Sequence, residues 1–333
     1  MKPRAAAASP QGRETHDGRA SANRDELEVA GAVRFYLQLQ PKQLPSRFLY
    51  DTLGSALFDA ICHLPWYRIT RAERHLLRQH AAAIGRVFQG GRVVELGCGN
   101  GEKLATLLTH AGITGAHAHL IDLSGAALSR SVQTLAAVGE PAITVTTDCA
   151  TYEEGLLALP NEDVRTLVAF LGSNIGNFDP PGAGAFLGLI RRALRPGDHL
   201  LLGADLVKSE RDLLLAYDDP VGLTAAFNKN ILLRLNTELD ADFDLTRFAH
   251  RAVWNAEASR VEMHLVSLAA QEVQVRQAGL TVRLDPGEPI WTESSYKYER
   301  SGIRQLVEPA GFVEREQWID DRAKFALTLF EAV

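Results

Sequence analysis

A glycine-rich turn in the first third of the chain has the composition of a ligand-binding loop. A short apolar stretch, Val93–Leu96, leads into it, and a helical pattern follows. The residues of this segment that could contact a ligand are Glu95, Gly97, Gly99, Gly101 and Lys103. Glycines let the backbone approach a bound molecule closely, with a helix N-terminus behind it. We predict a cofactor site, and the alternative is an ordinary tight turn between a strand and a helix.

Two acidic residues follow the next predicted strands. Ala116–Ile121 ends at Asp122, and Ile143–Thr147 ends at Asp148. Asp122 lies about one strand–helix unit beyond the glycine turn, where a carboxylate can accept hydrogen bonds from both hydroxyls of a ribose. Its alternative role is to cap the helix that begins near Ser124. Asp148 could accept a hydrogen bond from the amino group of an adenine, so the pair suggests a nucleoside-containing cofactor.

The glycine turn and the acidic residues belong to a regular alternation of strands and helices. The predicted strands are Val93–Leu96, Ala116–Ile121, Ile143–Thr147, Thr166–Leu171 and His199–Ala204. Such alternation predicts an α/β fold with a parallel sheet, in which ligands bind beyond the carboxyl ends of the strands. We therefore expect the polar residues that follow the strands, Asn177 among them, to meet at one edge of the sheet.

The alternation breaks after residue 207. Residues 208–297 contain helical patterns and then segments that alternate apolar and polar residues, as a half-exposed antiparallel sheet does. The chain closes with a helix, Ser301–Gly311, and two strands, Phe312–Ile319 and Phe325–Phe330. We interpret 208–297 as a domain inserted into the α/β core, where it would cover the ligand cleft together with the N-terminal helices.

Composition narrows the class of protein. The chain has 333 residues, 46% of them hydrophobic, and a formal net charge of -6, which disfavours a nucleic-acid partner. The three cysteines stand far apart and no apolar run reaches membrane-spanning length. We therefore predict no disulfide framework, no metal site, no membrane partner and a location in the reducing cytoplasm. Residues 1–25 are expected to be a disordered tail and not a secretory signal, and we expect a monomer.

The helix that leads to the glycine turn carries a local signal at its start. Thr70 and Glu73 stand three residues apart, the spacing of a capping box, in which each side chain binds the backbone amide of the other residue. We therefore predict that Thr70 caps this helix and that Glu73 completes the box.

A series of short motifs runs from about Leu44 to the C-terminus and is more specific than the glycine turn. The motifs are Phe48-Leu49-Tyr50-Asp51, Gly54-Ser55, Leu57-Phe58-Asp59, Leu64-Pro65-Trp66-Tyr67, Thr70-Arg71-Ala72-Glu73, Gly172-Ser173-Asn174-Ile175-Gly176-Asn177, Ala216-Tyr217-Asp218-Asp219, Thr224-Ala225-Ala226-Phe227-Asn228 and Thr292-Glu293-Ser294-Ser295. In these motifs the chain resembles the histidine Nα-methyltransferases of ergothioneine biosynthesis, which use S-adenosylmethionine (SAM). The positions that depart from the family pattern, and so alter the shape of the expected pocket, are Trp66, Asn174, Ser294 and Tyr296.

The resemblance implies an activity and a domain organisation. Enzymes of this family transfer three methyl groups from SAM to the α-amine of L-histidine and so produce hercynine. The core would be a Rossmann-like class I SAM-dependent methyltransferase with an inserted substrate-binding domain. The corresponding division is a tail (1–25), an N-terminal helical segment that completes the substrate domain (26–75), the core (76–207), the inserted domain (208–297) and the return to the core (298–333).

The resemblance also implies roles for individual residues. Tyr67, Asn177 and Tyr217 would hold the carboxylate and amine of histidine, since hydroxyl and amide groups donate hydrogen bonds to a carboxylate. Glu293 would accept a hydrogen bond from one imidazole nitrogen, and Ser295 would meet the other. The remaining positions are Met263 beside the imidazole, Tyr50 beside the methylated nitrogen, and Gly172, whose carbonyl would face the amine or the cofactor. Tyr50 and Asn177 are the expected catalytic residues.

The chemistry implied is an in-line displacement in which the neutral α-amine attacks the methyl group of SAM. Positioning and electrostatics would be the main contribution of the protein, and aromatic faces would tolerate the cationic product. Glu293 favours histidine, because an indole or phenol leaves that carboxylate poorly satisfied. The alternatives are α-N-methylation of a tryptophan or tyrosine derivative and a SAM-binding protein without turnover. A nicotinamide-dependent oxidoreductase is disfavoured, since the turn reads G-x-G-x-G and not G-x-G-x-x-G.

Overall fold

The computed structural model describes residues 17–113, 115–138, 143–160 and 162–333. The α-helices are α1 (Asp17–Leu37), α2 (Thr52–Cys62), α3 (Ile69–Phe88), α4 (Glu102–His110), α5 (Gly125–Ala136), α6 (Tyr152–Ala158), α7 (Pro180–Ala193), α8 (Glu210–Tyr217), α9 (Leu223–Glu238) and α10 (Arg300–Val307). The strands are β1 (Lys42–Gln43), β2 (Arg92–Leu96), β3 (His117–Asp122), β4 (Thr144–Cys149), β5 (Thr166–Phe170), β6 (His199–Asp205), β7 (Phe248–Asn255), β8 (Arg260–Ser267), β9 (Gln271–Val275), β10 (Leu280–Leu284), β11 (Pro289–Tyr296), β12 (Phe312–Asp320) and β13 (Phe325–Ala332).

A seven-stranded sheet forms the core, in the order β12-β13-β6-β5-β2-β3-β4. Strands β2 to β6 are parallel, and β13 lies antiparallel between β6 and β12. Successive residues of β2, Val93 and Val94, belong to two different hydrophobic clusters, so apolar side chains cover both faces of the sheet. The predicted α/β fold with a parallel sheet is confirmed. Because β2 lies between β5 and β3, the loops after these three strands adjoin where the strand order reverses.

A smaller sheet lies outside the core, in the order β1-β11-β8-β7. Strands β7, β8 and β11 come from the segment between β6 and α10 and pair antiparallel. Strand β1 comes from the N-terminal segment and pairs parallel with β11, and α2 packs against α9. Two stretches that are far apart in sequence therefore build one unit on the core.

Three local predictions differ from the structure. Helix α1 begins at Asp17, inside the segment expected to be a tail, and residues 1–16 lie outside the described residues. The predicted capping box is wrong, because α3 begins at Ile69 with Arg68 as its N-cap, and Thr70 lies within the helix. Strands β1, β9 and β11 were not predicted. The polar run of β11 shows little of the apolar alternation that indicates a half-buried strand.

Two kinds of feature are absent from the described ranges. No α-helix in them is both long enough and apolar enough to cross a membrane. They also contain no group of three or more histidine, cysteine or carboxylate side chains that could hold a metal ion. The cysteines Cys62, Cys98 and Cys149 are free thiols.

Asp219 holds the start of α9, and its removal should destabilise the protein. The buried carboxylate accepts hydrogen bonds from the amides of Val221, Gly222, Leu223 and Thr224 at 2.7 to 3.3 Å. We expect Asp219→Ala to lower the free energy of unfolding by about 2 kcal/mol, measured by urea denaturation at pH 7. Asp218→Ala removes a neighbouring exposed carboxylate and should change the free energy of unfolding far less.

The loss in free energy of unfolding caused by Asp219→Ala should also depend on pH. Burial raises the pKa of Asp219, but the hydrogen bonds from Thr224 and its neighbours outweigh burial, and the pKa lies below its usual value. A lowered pKa in the folded state means that the carboxylate stabilises the protein above about pH 4 and loses this effect as the pH falls further. A difference between wild type and variant that grows toward acid pH would contradict this role.

Candidate active site

Two adjoining cavities open at the carboxyl ends of the parallel strands. The first, which we call the turn cleft, is lined in part by Gly97, Gly99 and Asp122. The second, the inner pocket, is narrower and extends toward β8 and β11. Four residues line both cavities: Tyr50, Phe58, Asn174 and Asn177. A ligand in one cavity would therefore contact a ligand in the other.

The inner pocket brings together every residue that the sequence predicts to bind the substrate. These residues are Tyr50, Tyr67, Gly172, Asn177, Tyr217, Met263, Glu293 and Ser295. They come from the N-terminal segment, the loop after β5, α8, β8 and β11, which meet only in the folded chain. The spacing along the sequence could not show this proximity.

The glycine turn after β2 has a backbone conformation that other residues avoid. Gly97, Gly99 and Gly101 have φ angles of 76°, 56° and 76°. A Cβ atom on Gly97 would lie 2.6 Å from the hydroxyl oxygen of Tyr152, and one on Gly101 would lie 2.8 Å from the Cα atom of Ser131. A Cβ atom on Gly99 would have no neighbour within 4 Å, and Gly99 lines the turn cleft. A ligand can therefore approach the backbone at Gly99.

The acidic residues that follow β3 and β4 lie in different surroundings. Asp122 lines the turn cleft, and its carboxylate accepts hydrogen bonds from the amides of Ser124 (2.9 Å) and Gly99 (3.4 Å). Asp148 lines neither cavity, and its Oδ2 atom lies 3.0 Å from Nε2 of His119. The structure thus brings Asp122 to the glycine turn and does not bring Asp148 there, because the Asp148 side chain faces β3.

Glu95 and Lys103 lie behind the glycine turn. Glu95 is almost fully buried, and its Oε2 atom has no hydrogen-bond partner within the described part of the chain. Burial raises the pKa of Glu95 to about 8, although the nearby Lys103 lowers it. Nζ of Lys103 forms an ion pair with Glu73 at 2.7 Å. Glu95, Gly101 and Lys103 line neither cavity. The buried carboxylate of Glu95 nevertheless has an oxygen without a partner, which is costly.

Glu73 is a site residue that sequence reasoning missed. Its fully buried carboxylate accepts a hydrogen bond from the amide of Gly172 at 2.8 Å and pairs with Lys103. A Cβ atom on Gly203 would lie 1.9 Å from Oε1 of Glu73, so a glycine there leaves space for the carboxylate. The three-residue spacing from Thr70 led to the prediction of a capping box instead of this role. The signal that could have shown it is the position of Glu73 on the buried face of α3, where a carboxylate needs partners.

Aromatic rings enclose the inner pocket. The ring of Tyr50 contacts Phe58 and Phe227, with centroids 5.6 and 5.5 Å apart. The ring of Tyr67 lies 6.0 Å from Phe58 and 6.5 Å from Tyr217 between centroids. Burial raises the pKa values of Tyr50, Tyr67 and Tyr217, so their hydroxyls keep their protons and can donate hydrogen bonds. The ring faces can stabilise a cation.

Polar side chains of β11 form one end of the inner pocket. Glu293 and Ser295 are two residues apart on the strand and project from the same face, and Met263 pairs with Glu293 across β8 and β11. Oγ of Ser295 lies 2.8 Å from the hydroxyl of Tyr217. Oε2 of Glu293 lacks a partner within the described ranges, and burial raises its pKa to about 7 although Lys297 lowers it. The pocket thus presents a carboxylate and a hydroxyl side by side, as an imidazole ring requires.

The strand order, the glycine turn and the cleft above it are those of a class I SAM-dependent methyltransferase. A family model described as histidine-specific, SAM-dependent methyltransferase matches residues 29–332. The chain therefore belongs to the family of histidine-specific, SAM-dependent methyltransferases.

Named relatives agree with this family. The chain is 39% identical over 295 residues to the histidine N-alpha-methyltransferase of Mycobacterium tuberculosis, with 88% of this chain and 91% of that protein covered. It is 40% identical over 298 residues to the histidine N-alpha-methyltransferase of Mycolicibacterium smegmatis, with 89% and 92% covered. It is 31% identical to ergothioneine biosynthesis protein 1 of Schizosaccharomyces pombe, where the match covers 91% of this chain and 42% of the longer protein.

The open side of Gly99 gives a direct test of the turn cleft. We expect Gly99→Ala to weaken SAM binding at least about tenfold, because the added methyl group occupies the space of the ligand. Isothermal titration calorimetry with SAM measures this change. Gly112→Ala is a matched control, since Gly112 has a φ of 67°, no neighbour within 4 Å of an added Cβ atom and no place in either cavity. Both variants should lose about 1 to 2 kcal/mol of stability, and equal SAM affinities would exclude a ligand at Gly99.

Proposed function

We propose that this protein transfers methyl groups from SAM to the α-amine of L-histidine, three in succession, and releases hercynine. The observation that carries the proposal is the inner pocket, where Glu293 and Ser295 lie side by side at one end. Tyr67, Asn177 and Tyr217 supply polar groups for the backbone of an amino acid in the same pocket. The pocket adjoins the turn cleft, so an amine and a methyl donor can meet between the two cavities.

The turn cleft suits SAM, which supplies an electrophilic methyl group on a sulfonium ion when bound. Gly99 leaves its backbone open to the cleft, and Asp122 presents a carboxylate for the ribose hydroxyls. The unpartnered Oε2 of Glu95 can accept a hydrogen bond from the methionine part of the cofactor. The proposed cofactor-binding residues are Glu95, Gly97, Gly99, Gly101, Lys103, Asp122 and Asp148. Of these, Gly97, Gly99 and Asp122 line the turn cleft, and the Asp148 carboxylate contacts His119.

The polar end of the inner pocket favours imidazole over other aromatic side chains. A neutral imidazole has one N–H group and one nitrogen with a lone pair. Glu293 can accept a hydrogen bond from the N–H group, and Ser295 can meet the other nitrogen. Met263 lies beside Glu293 and supplies an apolar contact for the ring. An indole or a phenol would leave one of these polar groups unsatisfied in a buried site, which is costly.

The remaining lining of the pocket would bind the amine and the carboxylate. We propose that Tyr67 and Asn177 donate hydrogen bonds to the carboxylate. The hydroxyl of Tyr217 gives its proton to Ser295 and would accept a hydrogen bond from the amine, which the Gly172 carbonyl also faces. Tyr50 and Asn177 line both cavities, so they lie where the nitrogen must meet the methyl group. Burial, and then the Glu293 carboxylate, raise the pKa of Tyr50 well above its usual value. Tyr50 therefore positions the amine with its hydroxyl and ring and does not serve as a phenolate base.

The wider organisation of the enzyme is part of the proposal. The shared sheet of β1 and β11 supports a substrate domain built from residues 26–75 and 208–297 on a core of residues 76–207 and 298–333. The proposed active unit is a monomer. The three free thiols accord with a cytoplasmic enzyme.

Mass spectrometry of products provides the first test of the proposed function. After incubation of the full-length protein with SAM and an equimolar panel of free amino acids, histidine alone should gain three methyl groups. Methylation of tryptophan or tyrosine with histidine unchanged would support the other amino-acid substrates, and SAM binding without any product would support a protein without turnover.

Glu293→Ala should lower kcat/KM for histidine about 100-fold relative to the other amino acids. Glu262→Ala is the matched control, since Glu262 lies on β8, binds Arg260 and lines neither cavity.

Proton release on binding tests the role of the Glu293 carboxylate. With a pKa of about 7 in the empty pocket, Glu293 is half protonated at pH 7, and binding of the ring N–H group selects the ionised form. Histidine binding in the presence of S-adenosylhomocysteine should therefore release about half a proton more from wild type than from Glu293→Gln at pH 7. The difference should vanish at pH 9. Calorimetry in buffers of different ionisation enthalpy measures it, and an equal release by both proteins would exclude ionised Glu293 as the ring acceptor.

A further inference from the structure

Lys297 is a fully buried lysine directly behind the inner pocket. It follows Glu293 and Ser295 at alternate positions, and its amide still pairs with the carbonyl of Ser259, so the three side chains share one face of the extended strand. No lysine or arginine of the described chain lines the inner pocket itself. Lys297 therefore brings a positive charge to a pocket whose own lining has none.

The ammonium group of Lys297 uses all three of its N–H donors. Its Nζ atom lies 2.8 Å from the hydroxyl oxygen of Tyr217, 2.9 Å from Oγ of Ser295 and 3.1 Å from Oδ2 of Asp205. Asp205 is itself buried and forms a second ion pair with Lys208 at 2.6 Å. A buried cation that is paired and fully hydrogen-bonded holds its partners in one arrangement.

These contacts leave Ser295 without a free acceptor site. A hydroxyl has one donor proton and two acceptor lone pairs. Oγ of Ser295 accepts one hydrogen bond from Lys297 and one from the hydroxyl of Tyr217 at 2.8 Å, since a phenol is more acidic than an aliphatic hydroxyl and is the better donor. The proton of Ser295 is then directed into the inner pocket, which Ser295 lines.

We propose that Lys297 is a positioning residue for substrate selection: it occupies an acceptor site of Ser295 and so obliges Ser295 to donate a hydrogen bond to the ring of the substrate. The proposal rests on the proposed function and explains its selectivity. Glu293 accepts from a ring N–H group, and Ser295 donates to a ring lone pair. A neutral imidazole offers both features, whereas indole and phenol lack the lone-pair nitrogen and imidazolium carries a proton on each nitrogen.

The surrounding charges keep Lys297 protonated, as this role requires. Burial lowers the pKa of Lys297, but Tyr217 and Asp205 outweigh burial and the pKa is raised. The other charged groups that act on this cluster are Glu293, which faces it from the inner pocket, and Lys208, which lies on the far side of Asp205. An ammonium group has no lone pair, so Lys297 can only donate to the two hydroxyls.

The test compares histidine with β-(pyrrol-2-yl)-L-alanine and β-(pyrrol-3-yl)-L-alanine. Each analogue keeps one ring N–H group and has carbon in place of the other nitrogen, so the lone pair is lost. Dissociation constants are measured by isothermal titration calorimetry, with S-adenosylhomocysteine present, for the full-length wild type and its variants. We expect the wild type to bind histidine at least roughly tenfold more tightly than either analogue.

Lys297→Met should reduce the ratio of analogue to histidine dissociation constants to about threefold or less. In this variant Ser295 can donate its proton to Tyr217, so its hydroxyl stays hydrogen-bonded when the bound ring has no lone pair. Lys208→Met is the matched control. Lys208 pairs with the same Asp205 but reaches neither hydroxyl, so this variant should keep the wild-type ratio. If Lys297→Met fails to fold, the double variant Asp205→Asn/Lys297→Met, in which both partners of the buried pair are neutral, takes its place with the same expected fall.

The outcomes separate the two proposals. A wild-type ratio in the Lys297 variant, with histidine and the analogues weakened equally, would show that Lys297 is only structural and would overturn its role in selection. Histidine binding by the wild type would still support the proposed function in that case. Failure of the wild type to bind histidine in the presence of S-adenosylhomocysteine would overturn the proposed function itself.

Discussion

The buried carboxylate of Glu73 connects the parts of the molecule on which the site depends. It holds the amide of Gly172 at the start of the loop that lines both cavities, and it pairs with Lys103 behind the glycine turn. A carboxylate without solvent must be fully satisfied by its neighbours, and loss of one partner leaves a costly buried charge. The contacts of Glu73 therefore tie α3, the start of α4 and the loop after β5 into one arrangement. The φ angle of 78° at Gly172 and the absence of a side chain at Gly203 allow the close approach that this arrangement needs.

The two cavities differ in the kind of chemistry that they support. The turn cleft combines the backbone of two glycines with positive φ angles, Gly97 and Gly99, with side chains that include the Asp122 carboxylate at the end of β3. The inner pocket is built from side chains of the smaller unit, with aromatic rings around its middle and polar groups of β11 at its end. A single core can thus hold a common cofactor while the added unit selects the amine, as expected when function depends on sites carried by a fold. Tyr50 and Asn177 line both cavities, and in the proposed function they would bring the reacting atoms together.

Residues near the site show how far sequence reasoning extends. The residues of the inner pocket were predicted from the resemblance to a known family, and the short motifs that carry this resemblance are visible in the sequence. Glu73 shows the limit of prediction from sequence. Its three-residue distance from Thr70 is that of a capping box, but the Glu73 carboxylate is buried and binds the amide of Gly172 instead. The sequence near Glu73 could not reveal this distant partner. Asp148 shows the same limit, because its place after a strand is visible in the sequence but its orientation toward His119 is not. Lys297 was missed because nothing local distinguishes a buried lysine from an exposed one at the end of a polar strand.

The sequence by itself determined the α/β alternation, the inserted segment and the family, since hydrophobic periodicity and motifs are local features that need no partner. Only the tertiary structure decided which polar groups are paired and which face a ligand. The unpartnered oxygen of Glu293, the filled acceptor sites of Ser295 and the ammonium of Lys297 between Tyr217 and Asp205 all arise where β6, α8 and β11 meet. Contacts between distant segments decide which polar groups are buried and which have hydrogen-bond partners. They therefore decide which charges and which hydrogen-bond donors face a substrate.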